Sequence, residues 1–386
     1  METELRKYER YSRDLKCLLV LSGIWPDFHP IIQPLLGCFA AFVCFVTVIA
    51  FLNFSIHHIT NVVVLTKSFG LVISFFSSFL KICVFLWHHD DLVYLKAALT
   101  DRFNTDNLNK SFRRFTLAKV NVFANLFYIL TIAVGLTTGM AVVLLIISLR
   151  HGKYVMLYPS IFPFSYEPGS RVYWILLMVE LFANLFVWAV TSGVDSVFGW
   201  YTLQICGEFR VLAHKFQNLK SSENYRDDLK ECVERHYVLM KTRDVLQDVF
   251  GFLTILLALT SAIVQCMLVF QAIQVFKNLS LGMMVFLIAY ITLKVVQAFI
   301  YAWYGQLIAE ESEVCLGAIY NARWAGSGDT RFMSDVVIVL SQKPLIFRAN
   351  GCMSLKMDIF IKILNTSVSY FFLLQTLDEG SEHHQH

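Results

Sequence analysis

Five side chains near the C-terminus, Lys362, Thr366, Ser369, Leu373 and Thr376, recur at intervals of three and four residues. On a helix that spacing lines them along one face. Hydroxyls and an amine on an otherwise apolar helix can wet a path for ions, and a leucine among them can close it by dewetting. The same residue types also bond back to their own helix or across to a neighbour. The stripe alone therefore leaves a pore and ordinary packing both open. Three more charges, Lys81, Glu180 and Lys294, stand inside apolar stretches. Each costs roughly 2.5–3.5 kcal/mol at the centre of a membrane helix on insertion scales, so each should turn to the protein interior.

Enzyme chemistry finds no support in the residue pattern. There is no phosphate-binding glycine loop, no metal-spaced histidine pair and no nucleophile elbow. His57-His58, His88-His89 and His383-His384 are adjacent pairs whose rings point different ways on a helix. No catalytic residue, metal site or cofactor is expected, and nothing points to nucleic acid. The nine cysteines fall in apolar stretches or on the side assigned below to the cytoplasm, where thiols stay reduced. No disulfide is expected.

These residues need elements to hold them. Of the 386 residues, 56% are hydrophobic and 16% charged, and the mean hydropathy is +0.58. A soluble domain carries about 25% charged residues, so the excess apolar surface needs lipid. A span needs roughly 20 mostly apolar residues. Seven stretches qualify: 35–56, 68–87, 120–149, 172–203, 249–276, 278–309 and 357–377. Lys and Arg in the successive connections number 5, 1, 6, 3, 8, 1, 5 and 0, so alternate sides hold 24 and 5. Positive residues stay in the cytoplasm. The expected fold is an all-α polytopic membrane protein with the N-terminus cytoplasmic and the C-terminus extracellular.

That orientation argues against a G-protein-coupled receptor, whose N-terminus is outside. Unequal spans without a repeat argue against a secondary transporter. The expected order is a cytoplasmic segment at 1–34, four spans within 35–203 and a charged, helix-compatible connection at 204–248. Spans five and six fill 249–309. A cytoplasmic anchor segment at 310–356, the last span at 357–377 and an external tail at 378–386 complete it.

The C-terminal third carries a more specific pattern. Tyr320 and Trp324 are followed by Ser341-Gln342 with Pro344, by Gly351 with Leu355, and by Ser369-Tyr370-Phe371 in the last span. Gly23–Pro26 (GIWP), the run from Gly207 to Leu219 after Asp195, and Cys232–His236 fall in matching order upstream. This sequence resembles the insect odorant receptor family over nearly its whole length. It departs where Ala349 and Asn350 precede Gly351 instead of an Ala-Gly pair. A gustatory receptor would share the topology but carry a different C-terminal motif.

The resemblance implies an odorant-gated, non-selective cation channel, tetrameric around a central pore lined by the last helix. It implies as partners a small volatile odorant, the shared olfactory co-receptor in a heterotetramer, membrane lipid and permeating cations. The 204–248 connection is too short for the co-receptor's insertion, so the chain resembles a ligand-specific tuning subunit. The plasma membrane of a sensory neuron is the implied location. The stripe then becomes pore lining, with Leu373 as gate and Gln375 and Thr376 at the outer mouth. Asp378 and Glu379 would form an acidic ring just outside.

The family's ligand pocket maps to the outer halves of spans two, three, four and six. The corresponding residues are Phe69, Ile73, Phe76, Thr138, Gly139, Val142, Met178, Phe182, Phe186, Tyr290 and Ile291. Tyr290 is the best of them, because a buried hydroxyl wants a partner and can orient a ligand. Glu180, near that pocket, is expected to bond a neighbouring helix rather than an amine ligand. Lys294 is expected to be structural or snorkelling.

Overall fold

Long apolar runs bounded by polar connections produce a helical bundle. A computed structural model describes the chain except residues 1, 27–28, 30, 102–109, 220–224, 279–280, 323, 325–328, 343, 350, 352 and 384–386. It also leaves aside the side chains of 63, 101, 110–113, 272–278, 281–283, 371 and 373–383. Among the described residues six helices are long and apolar enough to cross a membrane. They are α2 (Ile32–His57), α3 (Val62–Trp87), α6 (Val120–Arg150), α7 (Arg171–Gln217), α8 (Tyr225–Asn278) and α9 (Leu281–Tyr320). The seventh is α11 (Met357–His383). The fold is all-α with seven long helices, as the hydropathy pattern requires.

Shorter elements fill one end of the bundle. They are α1 (Glu2–Leu21), α4 (His89–Leu95), a π-helical turn (Lys96–Asp101), α5 (Lys110–Leu117) and α10 (Thr330–Leu340). A two-residue antiparallel hairpin, β1 (Arg348–Ala349) with β2 (Met353–Ser354), leads into α11. Starts are capped where the sequence allows. The Asn61, Ser170 and Asp329 side chains accept from Val64, Tyr173 and from Arg331 and Phe332 backbone N–H groups. Each cap satisfies a donor that the first helical turn leaves without a partner.

The charged connection at 204–248 is largely helix. α7 continues to Gln217 and α8 begins at Tyr225, so both project beyond the membrane. On that side Glu311 of α9 accepts from Lys119 at 2.8 Å and from Arg210 Nε and Nη2 at 2.8 and 2.6 Å. Burial raises the Glu311 carboxyl, but the hydrogen bonds from Arg210 and Lys119 outweigh it and hold it below the usual carboxylate range.

α7 is the central element. Every residue from 189 to 209 is buried, as expected of a helix surrounded by others. Gly199 has a steric role, since a Cβ there would lie 2.5 Å from the Tyr304 ring of α9. The segment before the first span also packs onto α7. The Tyr8 ring stacks on Trp200 at 4.4 Å, and the Tyr11 hydroxyl donates to the Ser196 carbonyl at 3.0 Å.

Candidate functional site

On α3, Lys67, Gly70, Leu71, Ser74, Ser77 and Lys81 follow helical spacing and present one face to the interior. Small and polar residues leave room there. The space becomes a cavity of about 380 Å³ between α3, α6, α8 and α9. Its walls are largely apolar: Leu71, Leu144, Leu145, Val264, Met267, Leu268, Phe286 and Leu287. Lys67, Ser148, Tyr158, Gln271 and Tyr290 are the polar exceptions among the side chains. The size and lining suit a small, mostly apolar molecule.

The connection between α6 and α7 roofs this cavity. Val155, Met156, Leu157, Tyr158 and Pro159 all line it. Glu180 of α7 holds that segment in place. Its carboxylate accepts from the Leu157 N–H at 2.9 Å, the Tyr158 N–H at 3.4 Å and the Ser160 hydroxyl at 2.6 Å. The Tyr158 ring enters edge-on between Phe51 and Phe75, and its hydroxyl donates to Asn184 at 2.7 Å. Glu180 therefore serves the roof and does not line the cavity.

A second chamber of about 50 Å³ lies deeper, sharing Leu71, Tyr158, Phe286 and Tyr290 with the first. The Tyr290 hydroxyl pairs with Ser74 at the junction. Below it, Asp195 of α7 joins three helices. Asp195 accepts from Lys81 at 2.6 Å, Tyr301 at 2.8 Å and Gln297 at 2.5 Å. Lys294 lies beside Gln297 at 3.4 Å. It is 7% exposed, so it does not snorkel.

The eleven residues mapped to the pocket separate into groups. Tyr290 lines both chambers, and Thr138 lines the deeper one. Thr138, Gly139 and Val142 also line a shallow groove between α6 and α7, closed on its other side by Leu181, Asn184, Leu185 and Trp188. Phe69, Ile73 and Ile291 pack against the core without lining either chamber. Phe186 is buried against Phe39 and Phe182. Phe76, Met178 and Phe182 turn outward, at 39%, 49% and 40% exposure. The outer half of α7 thus contributes no wall to the upper cavity; α8 and the roof segment do. One signal for the missed residues was in the sequence. Lys67, Ser74 and Lys81 on α3, with Tyr290, Lys294, Gln297 and Tyr301 on α9, repeat at helical spacing.

α11 packs by one face. Ile363 and Ser367 are buried, and the Ser367 hydroxyl lies 3.2 Å from the Ala262 carbonyl and 3.1 Å from Gln265 Oε1 of α8. Lys362, Thr366 and Ser369 lie on exposed positions away from that contact. The side chains of Leu373, Gln375, Thr376, Asp378 and Glu379 lie outside the described residues.

The fold is that of a multi-pass membrane protein of seven helices. The family model described as 7tm Odorant receptor matches residues 61–368, and the chain belongs to that family. It is 25% identical to Odorant receptor 13a of Drosophila melanogaster over 239 residues, 57% of each chain. Identity to the Odorant receptor coreceptor of Aedes aegypti is 27% over 178 residues, 46% of this chain and 37% of that one. The chain spans little more than half the length of Odorant receptor 13a and less of the co-receptor. The solved insect olfactory receptor OR5 from Machilis hrabei, in complex with eugenol, has a similar fold. The TM-score is 0.76 at 14% identity, covering 97% of this chain and 99% of that one.

Proposed function

We propose that this chain is a tuning subunit of an odorant-gated, non-selective cation channel at the plasma membrane of a sensory neuron's dendrite. It works with olfactory co-receptor subunits in a heterotetramer. A small volatile odorant binds in the cavity under the Glu180-held roof. The N-terminus is cytoplasmic, and α11 lines the shared pore through Lys362, Thr366 and Ser369. Leu373 is the gate, Gln375 and Thr376 form the outer mouth, and Asp378 with Glu379 attracts cations.

One observation carries this reading. α8 supplies a wall of the cavity through Val264, Met267, Leu268 and Gln271, and it supplies the α11 contact through Ala262 and Gln265. A ligand that repositions α8 therefore acts on α11 without an intermediary. The tuning role also fits the short gap between α7, ending at Gln217, and α8, beginning at Tyr225. The family match favours this reading over a gustatory receptor, a transporter or a G-protein-coupled receptor.

The test is current recording from cells expressing the chain with and without a co-receptor during application of an odorant panel. A rapid odorant-evoked cation current that requires co-expression is expected. Current from this chain alone would contradict the heteromeric assembly. Silence despite surface expression would contradict the channel reading.

A further inference from the structure

The buried cations near the cavity are not equivalent. Lys81 is paired with Asp195 at 2.6 Å. Asp195 Oδ1 also accepts from Tyr301, and Oδ2 accepts from Gln297. One carboxylate thus balances one amine and already takes two neutral donors. Lys294 has no carboxylate within 4 Å among the described residues. Its direct neighbours among the described residues are the Gln297 amide oxygen at 3.4 Å and the Tyr290 ring, 5.9 Å to its centroid, while Asp195 attracts it from further off and Lys81 repels it. A buried charge without an ion-pair partner of its own is costly, and this one lines the deeper chamber.

The deeper chamber has the character of an anion site. Lys81, Lys294, Gln297, Ser74, Ser77 and Thr191 all reach its surface, and among the described residues no acidic one does. At about 50 Å³ it admits a head group and little more. The chamber above is several times larger and mostly apolar, and only the side chains of Leu71, Tyr158, Phe286 and Tyr290 line both, so turning one of them joins the two spaces. Lys67 at the upper wall adds a cation to the path, and a cation along a cleft favours entry of anions.

We propose that the favoured ligand is a linear carboxylic acid, its carboxylate in the deeper chamber against Lys294 and its alkyl chain in the upper cavity. This rests on the reading of these chambers as the odorant site. A neutral carbonyl would accept a hydrogen bond there but leave the amine's charge uncompensated. A carboxylate does both, and charge-assisted hydrogen bonds are the stronger kind.

The experiment compares hexanoic to decanoic acids with their methyl esters and the matching primary alcohols, at neutral pH. Two readouts are used: odorant-evoked current with co-receptor, and displacement of an apolar fluorophore from purified protein. The acids should be about tenfold or more as potent as their esters, the factor expected of a hydrogen bond to a charged group. In Lys294→Met the acid-to-ester potency ratio should fall to near unity, and Lys294→Arg should keep it. Equal potency of acid and ester on the unsubstituted protein, or an acid preference that survives Lys294→Met, overturns the proposal. Should Lys294→Met fail to fold, the acid–ester comparison on the unsubstituted protein decides alone. Displacement by acids without any current would sink the channel reading and leave this one standing. Currents from neutral odorants with inert acids would do the reverse.

Discussion

The cavity and the last helix differ in how far one chain covers them. Around the cavity, Glu180, Tyr158, Asn184, Tyr290 and Asp195 each find hydrogen-bond partners within the chain. On α11 the only buried side chains among those described are Ile363 and Ser367. Ile361, Val368, Tyr370 and Phe372 stand exposed. Apolar side chains left bare on a membrane helix must meet lipid or another helix. A ligand site can thus be complete in one subunit, while the proposed ion path needs neighbours.

Five substitutions sharpen or break that contrast. Asp195→Ala should have the largest effect, because it strands Lys81 among α3, α7 and α9. Losing one partner of a buried ion pair costs about 3–5 kcal/mol. Thermal unfolding of the isolated subunit in detergent should show the loss; an unchanged midpoint would mean the cavity side is not held by this hub. Glu180→Ala should cost about 1.5–3 kcal/mol, the value of a hydrogen bond to a charged group. It should release the roof and speed amide exchange at Leu157 and Tyr158. Protection there equal to that of the unsubstituted protein would show that Tyr158 holds the roof unaided.

Glu311→Gln should cost about 1–3 kcal/mol, reduced because Lys119 and Arg210 are partly exposed. The folded carboxyl lies below its unfolded value of about 4.3. Its contribution is therefore present above that value and lost as the pH falls through the lower, folded one. Stability measured against pH should lose this component in Glu311→Gln; an identical acid limb would rule it out. The smallest stability effect, under about 0.5 kcal/mol, belongs to Thr366→Cys and Ser369→Cys on the exposed face of α11. In the assembled channel a charged thiol reagent should block their currents. Modification without block would remove these positions from the ion path.

Apolar run length and charge asymmetry made the seven helices and their order legible, since both are long-range averages. α1, and the lengths of α7 and α8 beyond the membrane, were less so. Their mixed-charge stretches look alike whether solvated or docked; for α1 the packing of Tyr8, Tyr11, Leu18 and Leu19 against α7 decides it. The lining of the cavity was only partly legible, for a reason peculiar to lipid. Large apolar residues such as Phe76, Met178 and Phe182 lose nothing by facing hydrocarbon. The cavity falls instead where Gly70, Ser74 and Tyr290 turn inward. Tyr158 was hidden because it comes from a connection, and nothing local announces that Glu180 draws that segment inward.

The placement of α8 has a consequence for how such receptors diversify. Val264, Met267, Leu268 and Gln271 shape the cavity, whereas Ala262 and Gln265 meet α11. In the proposed function, recognition and conduction occupy interleaved but separate positions on one helix. A lineage can therefore exchange the cavity-facing set and acquire a new chemical preference while the machinery that admits ions is inherited unaltered.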